Sequence, residues 1–138
     1  MSEGRAVQAD DSAGGGAVSP AVVSLAVDID TARQFAEHVA AGEFEAAHAL
    51  FTIDARKVHW PEVMRLAVAR MTAYAPGPIR RIRVLDEFVL REWPAKQRSD
   101  LACVYVALEG DRFNEAVSVV LSKTADGVRI REVVWGRP

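Results

Sequence analysis

Residues 79–135 read IRRIRVLDEFVLREWPAKQRSDLACVYVALEGDRFNEAVSVVLSKTADGVRIREVVW. Four segments of this stretch are rich in β-branched and aromatic residues and alternate between apolar and polar positions, which predicts four β-strands. Turn residues separate the last three segments, so the strands are expected to form an antiparallel meander. The predicted strands lie at about 80–93, 101–109, 113–123 and 128–135, with tight turns at 110–111 and 125–127.

The residues before this stretch show helical periodicity. Asp30 can cap a helix whose apolar positions recur about every 3.6 residues until Gly42 ends it. A second helical stripe covers Phe44–Phe51, and Pro61 begins a third helix. Ser19-Pro20 fits the start of a further helix, although the valines that follow also suit a strand.

Length and composition indicate a single domain. The chain has 138 residues, of which 50% are hydrophobic, and this is enough for one core. Residues 1–18 are rich in Gly, Ser and Asp and predict a flexible tail, so the domain is expected to span 19–138. Helices followed by an uninterrupted meander predict an α+β fold, with the N-terminal helices packed on the sheet.

Charge and cysteine content narrow the classes of partner. The chain has 17 Lys and Arg against 19 Asp and Glu, a net charge of −2, which argues against nucleic acid as a partner. No segment reaches the roughly 18 apolar residues that span a bilayer, and no export signal is evident, so we expect a cytoplasmic protein without a membrane partner. Cys103 is the only cysteine, which excludes an intrachain disulfide, and its mid-strand position suits a buried thiol.

Two segments resemble a known family. Residues 35–47, FAEHVAAGEFEAA, form a helical corner, and residues 128–134, VRIREVV, form the last predicted strand. Over about residues 30–136 the chain is similar to the nuclear transport factor 2-like superfamily, also called ketosteroid isomerase-like or SnoaL-like. The resemblance implies a cystatin-like cone, in which helices close one face of a strongly curved sheet around a ligand-sized pocket. It also implies a homodimer formed through the outer face of the sheet.

Three carboxylates fall in phase with apolar positions of the predicted strands, namely Asp86, Glu115 and Glu132. A carboxylate that faces an apolar cavity has a raised pKa and can act as a general base, and Asp86 has the most apolar neighbours. A β-bulge, which is expected in long bent strands, would instead return such a residue to solvent, where nearby arginines could pair with it.

The histidines do not predict a metal site. His38, His48 and His59 lack the i, i+4 spacing of helical metal ligands, so we expect no metal, and no cofactor motif is present. His48 lies on the inward stripe of the second helix and could face Asp86 across the cone as an acid–base dyad. The alternative is a core histidine whose ring bonds to a backbone carbonyl.

Aromatic residues either line the pocket that the resemblance implies or belong to the core. Their helical or alternating spacing is compatible with both interpretations. The candidates for ligand contact are Phe35, Trp60, Tyr74, Phe88 and Tyr105, together with Glu115.

These observations lead to competing hypotheses. The first is a non-catalytic domain that dimerises and binds a small apolar ligand or a protein partner in its cone; a charge at Val133, expected to face outward, would then break the dimer. The alternative is a cofactor-independent isomerase, dehydratase or cyclase with Asp86 as base and His48 as its orienting partner. A third is a subunit or inhibitor that acts through the basic Arg80–Arg83 segment, which could receive an acidic partner, or through its helix face.

Overall fold

The computed structural model describes residues 20–137, with side chains from Ile29 onward. It contains a four-stranded antiparallel sheet in which strands adjacent in sequence are adjacent in space. The α+β fold and the meander are therefore confirmed, and the tail predicted at residues 1–18 lies outside the described residues. The strands are β1 (Arg81–Val84), β2 (Asp100–Glu109), β3 (Asn114–Thr124) and β4 (Gly127–Trp135).

The first strand is much shorter than predicted. β1 has four residues, and Asp86–Phe88 forms a 3-10 helix. Pairing resumes at a single bridge between Leu90 and Cys103. The prediction of one strand at 80–93 is wrong because the alternating pattern continues through a segment whose backbone leaves the ladder. With so short a first strand, the sheet is not strongly curled.

In the described part of the chain, four helices precede the sheet: α1 (Pro20–Ala40), α2 (Phe44–His48), α3 (Ile53–Arg56) and α4 (Pro61–Met71). The alternative in which Pro20 begins a helix is confirmed, and this helix continues through Asp30, where a separate helix was predicted to start, to Ala40. Gly42 ends this helix as predicted. With a φ of 76° it adopts the left-handed conformation, and Glu43 N donates to His38 O at 2.8 Å.

The helices and the inner face of the sheet enclose the core. Phe35 of α1 is fully buried, and its ring centroid lies 5.6 Å from that of Phe51 and 5.9 Å from that of Trp135. These rings pack between α1 and the sheet, where the resemblance implies a ligand pocket. The sheet contributes fully buried side chains from alternate positions, namely Val104, Val106, Leu108, Val117, Val119 and Leu121.

A β-bulge interrupts the pairing of β3 with β4. Val120 pairs with Glu132 and Leu121 pairs with Ile130, so Arg131 is an extra residue in β4. Because Leu121 belongs to the inner face, Val120 and its partner Glu132 belong to the outer face. The predicted alternative, in which a bulge returns an acidic residue to solvent, therefore holds for Glu132, whose side chain is 50% exposed.

The same bulge reverses the predicted orientations of the side chains that follow it in β4. Val133 is 4% exposed and belongs to the core cluster, whereas Val134 is 54% exposed. The expectation that Val133 faces outward is wrong because one inserted residue turns every later side chain of the strand to the opposite face.

Candidate functional site

The outer face of the sheet, opposite the helices, carries an apolar groove. It has a volume of about 330 Å³, and we call it the outer groove. Phe88 and Tyr105 meet there edge to face with ring centroids 6.1 Å apart, so the structure brings together two of the predicted ligand-contact residues. The groove is lined by Phe88, Leu90, Cys103, Tyr105 and Ser118.

A group of charges borders this face at the β1 edge. Glu109 accepts hydrogen bonds from Arg83 at 2.9 Å and from Arg81 at 2.7 Å, and these two bonds lower the pKa of Glu109. Arg80 lies 3.6 Å from Asp111. The three arginines of the predicted basic segment thus share two carboxylates, so most of its charge is paired within the chain and one net positive charge remains.

The thiol of Cys103 lies within the outer groove. Burial raises the pKa of this thiol, and the nearby charge of Asp100 raises it further. A thiol with a raised pKa is largely protonated at neutral pH and reacts slowly as a nucleophile. Cys103 therefore contributes apolar surface to the groove.

A buried ion pair crosses three strands at one end of the sheet. Asp100, whose side chain is fully buried, accepts two hydrogen bonds of 2.7 Å from Arg131, one from the Ser122 hydroxyl and one of 2.8 Å from Gln97 N. Burial alone would raise the pKa of Asp100, but these hydrogen bonds and the Arg131 charge hold it below its ordinary value. Sequence reasoning missed this network because its charged partners lie 31 positions apart and Asp100 sits at the end of a polar loop.

Next to this ion pair lies a second concave surface of about 620 Å³, which we call the polar cleft. Its walls come from α3 and the residues after it, from the segment before β2 and from the β3–β4 hairpin. Residues with polar or titratable side chains that line it include Asp54, His59, Ser99, Lys123, Arg131 and Glu132.

His59 is the half-buried imidazole of the polar cleft. Its ring centroid lies 5.2 Å from that of Phe51. Burial lowers the pKa of His59, an effect that Glu132 opposes and His48 reinforces, so the ring is mainly neutral at pH 7. A neutral imidazole offers one donor and one acceptor. From the sequence, His59 was predicted only to lack the spacing of a helical metal ligand, and no other role was assigned to it.

His48 and Asp86 lie at different edges of the sheet. His48 Nε2 donates to Arg56 O at 2.9 Å, and the His48 ring stacks on Trp60 with centroids 5.4 Å apart. The segment that follows His48 borders β4, since Phe51 bridges to Ile130, whereas Asp86 follows β1 at the other edge and is exposed. The structure does not bring these two predicted catalytic residues together.

Of the remaining predicted contact residues, Tyr74 and Glu115 are in contact, whereas Phe35 and Trp60 lie elsewhere. Tyr74 donates its hydroxyl to Glu115 Oε2 at 2.9 Å, and Arg137 lies 3.8 Å from the other oxygen of Glu115. Glu115 pairs with Leu108 and so lies on the inner face, as its phase in the sequence predicted. Phe35 belongs to the core, and Trp60 is 54% exposed beside His48.

Among the described residues, no three His, Cys, Asp or Glu side chains cluster so as to hold a metal ion. No helix within residues 20–137 has the length and apolar character needed to cross a membrane.

No protein-family model, curated protein or solved structure matches this chain. Its class is therefore defined by fold and surface. It is an α+β domain with helices on one face of an antiparallel meander, an apolar groove on the open face and a polar cleft at one end.

Proposed function

We propose that this chain is a non-catalytic domain of the nuclear transport factor 2-like superfamily that forms a homodimer through the outer face of its sheet. The observation that carries the proposal is the apolar surface on that face. Phe88 is 56% exposed, Leu90 47% and Val134 54%. Large apolar side chains grouped on one face, rather than scattered singly, mark interaction surfaces in globular proteins.

A second copy of the chain suits this face in size and charge. A four-stranded sheet of this length offers about 600 Å² of projected area, close to the ~800 Å² that each partner buries in a stable complex. The Arg81–Glu109–Arg83 group lies at one end of the face, and Arg131 and Glu132 lie at the other. An apolar centre between charged ends has the composition of an interface core and rim.

Among the described residues, aromatic rings take up the interior in which a cone would hold an apolar ligand. Phe35, Phe51 and Trp135 occupy the space between the helices and the sheet. We therefore assign the apolar binding expected of a cone to the outer groove, where a second copy supplies the apolar surface. The general-base alternative is not part of the proposal, since Asp86 is exposed and His48 is bonded to a backbone carbonyl.

The test is the oligomeric state measured by sedimentation equilibrium. We expect the wild-type protein to sediment as two 15.0 kDa chains. Val134→Glu should raise the dimer dissociation constant by about a hundredfold or more, because it places a charge within the exposed apolar surface of the proposed interface.

The matched control is Val63→Glu, which adds the same charge at a residue of α4 that is 46% exposed. It should leave the dissociation constant within about twofold of the wild-type value. Circular dichroism establishes that both variants are folded. A wild-type monomer at about 100 μM, or equal effects of the two substitutions, would overturn the proposal.

A further inference from the structure

The polar cleft contains one cation that the described residues leave without an ion-pair partner. Asp54 lies 3.6 Å from Lys57, and Glu132 lies 3.7 Å from Arg131, whose other nitrogens bind Asp100. Lys123 forms no ion pair with any residue of 29–137. Because Arg131 pairs with both Asp100 and Glu132, the cations Lys57, Arg131 and Lys123 balance the three carboxylates here. Among the described residues of the cleft, Lys123 is the cation left to pair with an added anion.

Uncommitted hydrogen-bonding groups accompany this cation. Lys123 N donates to Ser99 O at 2.9 Å, so the Ser99 hydroxyl and the Lys123 side chain arise from neighbouring backbone. Neither the Ser99 hydroxyl nor the His59 ring makes a side-chain hydrogen bond within the described part of the chain. Behind them, the buried Asp100–Arg131 pair and the Ser122 hydroxyl join β2, β3 and β4 to one another.

We propose that the polar cleft binds a small monoanionic hydroxycarboxylate. Its carboxylate pairs with Lys123 and accepts from the Ser99 hydroxyl, and its hydroxyl group bonds to the neutral ring of His59. The volume of about 620 Å³ admits such a ligand together with several water molecules. A dianion such as phosphate suits the cleft less well, since Glu132 and Asp54 also line it and repel additional negative charge.

The experiment follows the ring resonances of the three histidines by NMR while L-lactate is added. Lactate should shift the His59 signals saturably, with a dissociation constant of about 1–10 mM, as expected for so small a ligand. Lactamide, which has the same shape without the charge, should bind at least about tenfold more weakly. His38 is an internal control because its ring bonds to Glu43 at 2.9 Å, away from the cleft.

Variants separate the cleft from general charge effects. Lys123→Gln should weaken lactate binding about tenfold and remove the preference for lactate over lactamide. Arg112→Gln removes one positive charge from the β2–β3 turn at the opposite end of the sheet and should leave binding within about twofold.

Three results would overturn the proposal. They are unmoved His59 signals at about 50 mM lactate, equal shifts of His38 and His59, or tighter binding of inorganic phosphate than of lactate. None of these results depends on dimerisation, so the two proposals fail separately.

Discussion

Replacement of Asp100 by alanine should lower the free energy of unfolding by about 3–5 kcal/mol, since it leaves the charged and largely buried Arg131 guanidinium with only the half-exposed Glu132, at 3.7 Å, as a partner. The Arg131 side chain is only 21% exposed, so water cannot replace the lost carboxylate fully. The Ser122 hydroxyl also loses its acceptor. Urea denaturation followed by circular dichroism measures the difference.

The matched control for this variant is Asp111→Ala. Asp111 also lies near an arginine, at 3.6 Å from Arg80, but both side chains are more than half exposed. Exposed ion pairs contribute about 0–1 kcal/mol, so the control should change stability by no more than that. Equal losses in the two variants would show that the Asp100–Arg131 pair contributes no more than a surface ion pair.

The same carboxylate should make stability depend on pH. The folded state lowers the pKa of Asp100, so its contribution is fully present above the unfolded value of about 3.9 and is lost as the pH falls through the folded value. The difference in unfolding free energy between wild type and Asp100→Ala should therefore narrow between about pH 5 and pH 2. Glu109 shifts in the same direction in both proteins and cancels from the difference. If the difference in unfolding free energy stayed constant across this pH range, the pH dependence could not be assigned to Asp100.

Phe35→Ala should also lower the free energy of unfolding by about 3–5 kcal/mol, because the substitution empties a fully packed position between Phe51 and Trp135. The measurement distinguishes the two interpretations of Phe35. A phenylalanine that lines an existing pocket makes fewer contacts, so its replacement by alanine would lower the free energy of unfolding by less.

Leu66→Ala is the control for the core substitution, since Leu66 is 46% exposed. It should change stability by about 0.5 kcal/mol or less. A loss for Phe35→Ala near that of Leu66→Ala would mean that the interior is open, and it would restore the cone pocket as a candidate ligand site.

Local signals in the sequence predicted many of the elements. The alternation of β2, β3 and β4 and the stop at Gly42 depend on residues close in sequence. The sequence indicated two helix starts, at Pro20 and at Asp30, whereas one helix runs from Pro20 to Ala40, since the valines between the two starts suit a helix or a strand. The 3-10 helix at Asp86–Phe88 was missed because its sequence keeps the alternation of a strand.

The amino-acid sequence by itself determined the element types and the meander order, because side-chain periodicity and turn residues act over a few positions. The tertiary structure alone decided the faces and the sites. One bulge residue, Arg131, exchanges the orientations of Val133 and Val134, and the polar cleft joins segments that are remote in sequence. Strand register and ion pairing depend on contacts between distant residues, which the period of a single strand does not contain.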